Sequence, residues 1–191
     1  MKYSIEELKE ELRKYLSDYR YNHSIMVMEE AKKYLNIYCP NEEFYDQTIR
    51  TALMHDIMKE LSDEEALKYI TDNNIDIDFK KDKVLVHGIL GADLCLKKYD
   101  FTNDMAQAIR WHTTGHNNMS LMDKIVFLAD KTGRSNLSPA LLEIREIAFS
   151  NLDKAICMYL EKTIERLKNK GASVNVKSLQ LLKLLKKCWQ Y

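Results

Sequence analysis

Residues Leu121–Asp130 read LMDKIVFLAD and contain an uncharged apolar run, Ile125–Ala129. The pattern predicts a buried helix, and the run is far too short to cross a bilayer. The predicted helix ends at Asp130, shortly before Gly133. A carboxylate at the C-terminal end of a helix opposes the helix dipole. Such a local misfit is typical of a functional position.

The sequence on both sides of this run is also helical in pattern. Ser4 and Ser62 are each followed three residues later by a glutamate, which is a capping box that begins a helix. The first of these helices carries apolar and aromatic residues at helical spacing as far as Tyr19. Ser138 precedes a proline suited to the first helical position. The predicted helices are 5–19, 22–35, 42–56, 63–73, 83–99, 102–112, 121–130, one from 139, 153–169 and 176–189.

Composition agrees with an all-α fold. The chain has 191 residues with only 5 Gly and 2 Pro, whereas sheets and hairpins use these residues at their turns. Residues 75–79 are left open as a loop or a short extended segment. We find no repeat, low-complexity run or linker, so we expect one helical domain of roughly ten helices over residues 1–191.

Charge and cysteine content exclude several classes of protein. Lys+Arg 29 balances Asp+Glu 29, which disfavours a nucleic-acid partner. The four cysteines form no C-x-x-C pair and fit no disulfide or zinc-ribbon spacing. We therefore expect reduced thiols, a cytoplasmic location and no membrane partner.

Four of the five histidines follow an ordered pattern. His23, the pair His55-Asp56, His87 and His112 lie on successive predicted helices, with Asp130 after them. A lone histidine on a helix is more often a surface or hydrogen-bonded core residue. Imidazoles and carboxylates together, without cysteine, instead suit Mn, Fe, Co or Zn.

The pair His55-Asp56 sets a condition on such a site. Adjacent helical residues point about 100° apart, so both reach one ion only from a groove between helices. His23 and Asp130 would then close the groove from other helices. His116 lies outside the ordered pattern, and we predict that it is not a metal ligand.

The chain resembles the HD-domain metal phosphohydrolases. More narrowly it resembles the YqeK-type symmetrical bis(5'-nucleosyl)-tetraphosphatases, over about residues 15–180. The His-Thr-Thr-Gly run, followed by Asn-Met-Ser, is the most specific part of the resemblance. The matching stretches are 55–59 (HDIMK), 87–92 (HGILGA), 108–115 (AIRWHTTG), 118–121 (NMSL), 124–130 (KIVFLAD) and 151–155 (NLDKA).

The resemblance implies a metal-dependent enzyme that cleaves diadenosine tetraphosphate symmetrically into two ADP. It implies iron, as one or two ions, with Mn, Co or Zn as alternatives. The implied metal ligands are His23, His55, Asp56 and Asp130. The implied catalytic residues are Asp56, Lys59, His87 and His112.

The same resemblance implies a phosphate-binding region. Lys59, His87 and His112 would face the substrate phosphates, and the two histidines could instead hold a second ion. Thr113 lies at the start of a loop that could donate hydrogen bonds to phosphate oxygens. The expected ligand is a nucleotide substrate or product of the ADP or GDP type.

The chain departs from the family at two arginine positions. His116 and Asn136 stand where the family usually has arginine. We expect His116 to stand near the substrate phosphates. Arg134, two residues before Asn136, could take over phosphate binding, as could Lys131. We expect Gly133 to give this loop the freedom to turn Arg134 toward the site.

These departures keep two alternatives open. One is another HD phosphohydrolase that acts on mononucleotides, with the same metal ligands. The other is a nucleotide-binding sensor that has lost turnover. A homodimer is also left open.

Overall fold

The structure is a computed structural model and describes residues 2–80 and 83–187. Within those residues there are ten helices and no strand, which confirms the predicted all-α class. The helices are α1 (Ile5–Arg13), α2 (Asp18–Tyr38), α3 (Glu42–Met54), α4 (Asp63–Asp72), α5 (Val86–Lys98), α6 (Asn103–Trp111), α7 (Leu121–Thr132), α8 (Pro139–Ala148), α9 (Leu152–Asn169) and α10 (Val176–Lys187).

The predicted first helix divides into two. α1 ends at Arg13, and α2 begins at Asp18 because the Ser17 hydroxyl caps it, accepting from the Arg20 N–H. The prediction of one helix as far as Tyr19 was therefore wrong, and so was the start of the second helix near residue 22. Ser17 also binds Glu60, and that distant contact fixes the break.

Helix α7 lies at the centre of the fold. It packs against α2, α3, α6, α8 and α9, and Ile125–Ala129 are fully buried. The helix continues two residues beyond Asp130 to Thr132, where the Gly133 N–H donates to the carbonyl of Ala129. Its C-terminal turn therefore brings Asp130 into the interior beside α2.

The end of α3 differs from a regular helix. The helix stops at Met54, and residues 55–60 form successive turns. The Lys59 N–H donates to the Asp56 carbonyl, a three-residue spacing that aligns side chains at i and i+3. Asp56 and Lys59 therefore point in the same direction. The predicted continuation of α3 through residue 56 was wrong, because the helix ends at Met54.

Gly88 explains the close approach of α5 and α6. A Cβ at this position would lie 2.9 Å from the carbonyl oxygen of Arg110, so any larger residue would force the helices apart. This contact between backbones brings His87, at the start of α5, beside His112, just after α6.

Other predictions fall partly outside the described residues. The predicted tenth helix extends to residue 189, and its last two residues, Cys188 and Trp189, lie outside the described residues. Cys39, Cys95 and Cys157 are free thiols. In residues 2–80 and 83–187, no helix combines the length and the apolar character needed to cross a membrane.

Candidate metal centre

All the predicted metal ligands meet in one buried cluster, and two further histidines join it. Potential ligand atoms form three overlapping groups, and within each group all the atoms lie within 4.8 Å of one another. The groups are His23–His55–Asp56, His55–His112–Asp130 and Asp56–His87–His112. We call these six residues the metal cluster. They come from α2, the end of α3, α5, the end of α6 and α7.

Backbone carbonyls orient two of the imidazoles. Nδ1 of His55 lies 2.8 Å from the carbonyl oxygen of Ala52, and Nδ1 of His112 lies 2.6 Å from that of Ile109. A carbonyl oxygen can only accept, so each Nδ1 must carry the proton. In the neutral imidazoles, Nε2 is then left with a bare lone pair, as in histidines that bind metal.

Those lone pairs face other acceptors. His55 Nε2 lies 3.6 Å from both Asp56 Oδ2 and Asp130 Oδ1. His112 Nε2 lies 3.3 Å from Asp56 Oδ1 and 3.1 Å from His87 Nε2. Within the described residues, His55 Nε2 and Asp56 Oδ1 are buried and accept or donate no hydrogen bond. Buried acceptors that converge in this way are the arrangement that a bound cation would satisfy.

The carboxylates of the cluster are held in their charged form. Burial is the largest influence on Asp56 and raises its pKa, but His55, His112 and Lys59 outweigh it, and the net pKa is lowered. Burial likewise acts to raise the pKa of Asp130, and Lys131, with the two nearby histidines, lowers it well below its usual value. Both residues therefore offer anionic oxygens at neutral pH.

The histidines differ in their response to this environment. Burial holds the pKa of His87 and His112 below the usual value, so both are neutral and able to act as ligands. Burial also acts to lower the pKa of His55, but Asp56 and Asp130 reverse the effect and raise it. The carboxylates thus favour positive charge at the position that His55 faces.

The predicted phosphate-binding residues line one edge of the cluster. Lys59 Nζ lies 3.1 Å from His87 Nε2 and 3.8 Å from Asp56 Oδ1. The Thr113 hydroxyl lies 3.3 Å from His87 Nε2 and 3.2 Å from His112 Nε2. Burial lowers the pKa of Lys59, while Asp56 acts to raise it. The structure therefore brings these four predicted residues together.

A cavity of about 300 Å³ opens from Lys59, His87 and Thr113. We call it the Lys59 cavity. Its other walls are largely apolar and were not predicted from the sequence. They include Met58, Leu61, Phe79, Val84 and Val86.

Arg20 is a further cation at the cluster that sequence reasoning missed. Its Nη1 lies 3.7 Å from Asp56 Oδ2. Arg20 precedes His23 by three residues, a spacing that places both on one face of α2. That spacing was the available signal in the sequence.

Arg134 and Lys131 lie against Asp130, whereas Asn136 is exposed. Lys131 Nζ is 2.5 Å from Asp130 Oδ2, and Arg134 Nη2 is 3.9 Å from Asp130 Oδ1. The expected role of Gly133 was wrong, because its φ is −80°, a value open to any residue. Gly133 instead allows close packing: a Cβ there would lie 2.7 Å from the Ala129 carbonyl oxygen and 2.9 Å from that of Met26.

His116 lies outside the three ligand groups of the cluster. Its Nε2 is 3.1 Å from Asp123 Oδ2, and Asp123 belongs to the capping box that begins α7. This contact gives His116 a role in local structure at the opposite end of α7 from Asp130.

Comparison with known proteins agrees with the fold and the cluster. The HD-domain family model matches residues 20–135, a span that includes every member of the metal cluster. The chain belongs to the HD-domain family and is a metal-dependent hydrolase of that family.

Its relatives include proteins with a more specific name. The chain is similar to the symmetrical bis(5'-nucleosyl)-tetraphosphatase of Halalkalibacterium halodurans, at 33% identity over 84% of this chain and 85% of the relative. The enzyme of that name from Staphylococcus aureus is 26% identical over 94% of this chain and 93% of its own length. The predicted resemblance is confirmed by these matches.

A solved structure also matches over most of the chain. It is a predicted HD superfamily hydrolase involved in NAD metabolism, from Clostridium acetobutylicum. The match has a TM-score of 0.87 and 28% identity, and it covers 97% of this chain and 98% of that chain.

Proposed function

We propose that this chain hydrolyses dinucleoside tetraphosphates, with diadenosine tetraphosphate cleaved symmetrically into two ADP. The observation that carries the proposal is the metal cluster itself, in which buried acceptors converge beside cationic side chains. The names of the relatives support the substrate class. The remaining argument rests on the residues around the cluster.

The residues that would hold metal are His23, His55, Asp56 and Asp130, and the contacts of His87 and His112 suit a second ion. Mixed imidazole and carboxylate ligands support iron, with Mn, Co and Zn as the other metals that accept this set. When bound, a divalent metal lowers the pKa of a water molecule and stabilises charge on phosphoryl oxygens.

Lys59 and Thr113 would orient the phosphate chain. The Lys59 ammonium points along the same edge as His87, so it can donate to a phosphoryl oxygen there. The Thr113 hydroxyl is close enough to the same imidazole to donate to a neighbouring oxygen. As the bridging bond breaks, the Lys59 ammonium would neutralise developing charge and the Thr113 hydroxyl would stabilise it by a hydrogen bond, which is where electrostatic stabilisation has most effect.

Arginines on the other side of the cluster would replace those absent from the family positions. Arg134 already contacts Asp130, and Arg20 contacts Asp56. A guanidinium presents a planar pair of donors that suits two phosphate oxygens. We therefore assign phosphate binding to Arg134 rather than to Asn136, and we add Arg20 to the predicted set.

The Lys59 cavity would hold one nucleoside of the substrate. Its volume of about 300 Å³ lies at the lower end of the range for small-molecule sites, roughly 300–1,000 Å³. Phe79 and Leu61 offer apolar surface to a base, and Lys59 and Thr113 mark the side at which phosphates would enter.

Product analysis tests the proposal directly. The purified protein, with its metal content measured, is incubated with diadenosine tetraphosphate, and the nucleotides are separated by chromatography. We expect ADP as the sole product, whereas AMP plus ATP would contradict symmetrical cleavage. Mononucleotides and NAD in the same panel test the alternative substrates.

A matched pair of variants then tests Lys59. Lys59→Gln should lower kcat by roughly ten- to a hundred-fold, because one charge-assisted contact to the reacting phosphates is lost. Lys68→Gln removes an exposed lysine on α4 and should leave kcat unchanged. Equal activity of both variants would remove Lys59 from the mechanism.

A further inference from the structure

A second cavity lies between the C-terminal turn of α7 and helices α8 and α9. Its volume is about 260 Å³. Four cations line it, namely Lys131, Arg134, Lys162 and Arg166, together with Tyr159. No aspartate or glutamate is among its lining residues in the part of the chain that the structure describes. We call it the α8–α9 cavity.

This cavity is connected to the metal cluster through Asp130. Lys131 is buried, its Nζ contacts Asp130 Oδ2, and its side chain also lines the cavity. Arg134 makes the second connection, since it contacts Asp130 Oδ1 and lines the same cavity. The Lys59 cavity contacts the cluster at a different member, His87.

The charges of the α8–α9 cavity are only partly neutralised. Lys162 Nζ lies 3.7 Å from Glu143 in an exposed pair. No carboxylate oxygen of residues 2–80 and 83–187 lies within 4 Å of the Arg166 guanidinium. Lys162 and Arg166 are four residues apart on α9, so both face the cavity from the same side. The cavity therefore attracts anions.

Its remaining walls suit a nucleoside. Leu141 and Ile144 of α8 provide apolar surface, and the Tyr159 ring lies on the side nearest Lys131. A row of solvated lysines and arginines on a helix would lack such an apolar wall. The combination of cations, an aromatic ring and aliphatic side chains is typical of a nucleotide pocket.

We propose that the α8–α9 cavity binds the second nucleoside diphosphate half of the substrate, while the Lys59 cavity binds the first. This inference rests on the proposed function. Symmetrical cleavage of a tetraphosphate leaves one nucleoside and two phosphates on each side of the broken bond. The described residues hold one metal cluster, so the substrate then needs a place for an identical half on either side of it. The two cavities meet that need at different members of the cluster.

Counting bound ADP tests the inference without any turnover. Calorimetric titration of the metal-loaded protein with ADP should give two sites per chain. The double variant Lys162→Ala/Arg166→Ala should bind one, and its KM for diadenosine tetraphosphate should rise roughly tenfold or more, since two charge-assisted contacts are removed. Lys168→Ala, an exposed lysine on the same helix, is the matched control and should bind two.

Several results would overturn the inference. One is a calorimetric titration that gives one bound ADP per wild-type chain, and another is a titration that gives two per chain of the double variant. The third is that this cavity binds ADP and pyrophosphate with equal affinity. The last result would indicate a phosphate site without a nucleoside. If two ADP bind, the double variant loses one, and no dinucleoside tetraphosphate is hydrolysed, then the cavity stands as a nucleotide site and the proposed function fails.

Discussion

Helices α2 and α7 bury polar side chains in two neighbouring regions that differ in how they are satisfied. His23 and Asp130 belong to the metal cluster, in which the buried acceptors His55 Nε2 and Asp56 Oδ1 have no hydrogen bond. About two turns further along α2, Glu30 accepts hydrogen bonds from Arg145 and from Lys33. We call this second region the Glu30 network.

Donors face acceptors in the Glu30 network and in the neighbouring pair Tyr34 and Thr132. Arg145 makes a two-pronged contact with Glu30, through Nε and through Nη2 at 2.8 Å. The Thr132 hydroxyl donates to the Leu128 carbonyl, so the Tyr34 hydroxyl, 2.8 Å away, must donate to Thr132. Thr132 is only two residues from Asp130.

Glu30 is as buried as Asp56 and Asp130, so burial of a carboxylate does not distinguish a structural polar group from a functional one. The distinction lies in the balance of donors and acceptors. The Glu30 network is complete without a ligand, and its Arg145–Glu30 contact links α8 to α2. The metal cluster leaves the buried acceptors His55 Nε2 and Asp56 Oδ1 without a hydrogen bond, and a bound cation would satisfy both of them.

The largest expected difference follows from Asp56→Asn. This change should lower hydrolysis by about 1,000-fold, equivalent to about 4 kcal/mol, and should remove most of the bound metal. The metal-free variant should be at least as stable as the metal-free wild type, because an anionic oxygen that faces other acceptors is replaced. Elemental analysis and urea unfolding measure both effects.

A matched control is Asp104→Asn, an exposed aspartate on α6, which should change neither the metal content nor the rate. Full metal occupancy in Asp56→Asn would show that the cluster is not the metal site.

The second largest expected effect is the loss of folding stability when the metal is removed. With ion present at about 100 to 1,000 times its Kd, chelation should reduce the free energy of unfolding by roughly 3–4 kcal/mol. Variants of the Glu30 network should show the same metal-dependent difference, because that network contacts no ligand. An unfolding midpoint that is unaffected by chelation would contradict the comparison.

Arg145→Ala should give the opposite pattern to Asp56→Asn. It leaves buried Glu30 with Lys33 alone, and we expect about 2 kcal/mol of destabilisation, with or without metal. Metal content should stay at the wild-type level. Arg110→Ala, an exposed arginine on α6, should stay within about 0.5 kcal/mol of wild type in the same unfolding experiment.

His116→Ala should have the smallest effect. Asp123 keeps its contacts with the Ser120 N–H and the Gln107 amide after this change, so we expect a loss of less than about 1 kcal/mol. Metal content should not change. A large loss of metal would mean that a histidine outside the described cluster is a ligand.

Local sequence predicted most helices because their signals are local. Capping serines, apolar spacing and the scarcity of glycine and proline each act within a few residues. The break near Ser17 was missed because Glu60, 43 residues away, completes it. The end of α3 was missed because residues 55–60 turn toward the cluster instead of extending the helix.

The sequence by itself determined the helical class, the order of the histidines and aspartates, and the resemblance to a family. Only the tertiary structure decided that six side chains meet, because a backbone contact at Gly88 brings His87 to His112. It also decided that Arg20 and Arg134 contact carboxylates of the cluster and that Asn136 is exposed. The sequence gives residue types and their spacing along one helix directly, whereas distances between helices depend on how all the side chains pack together.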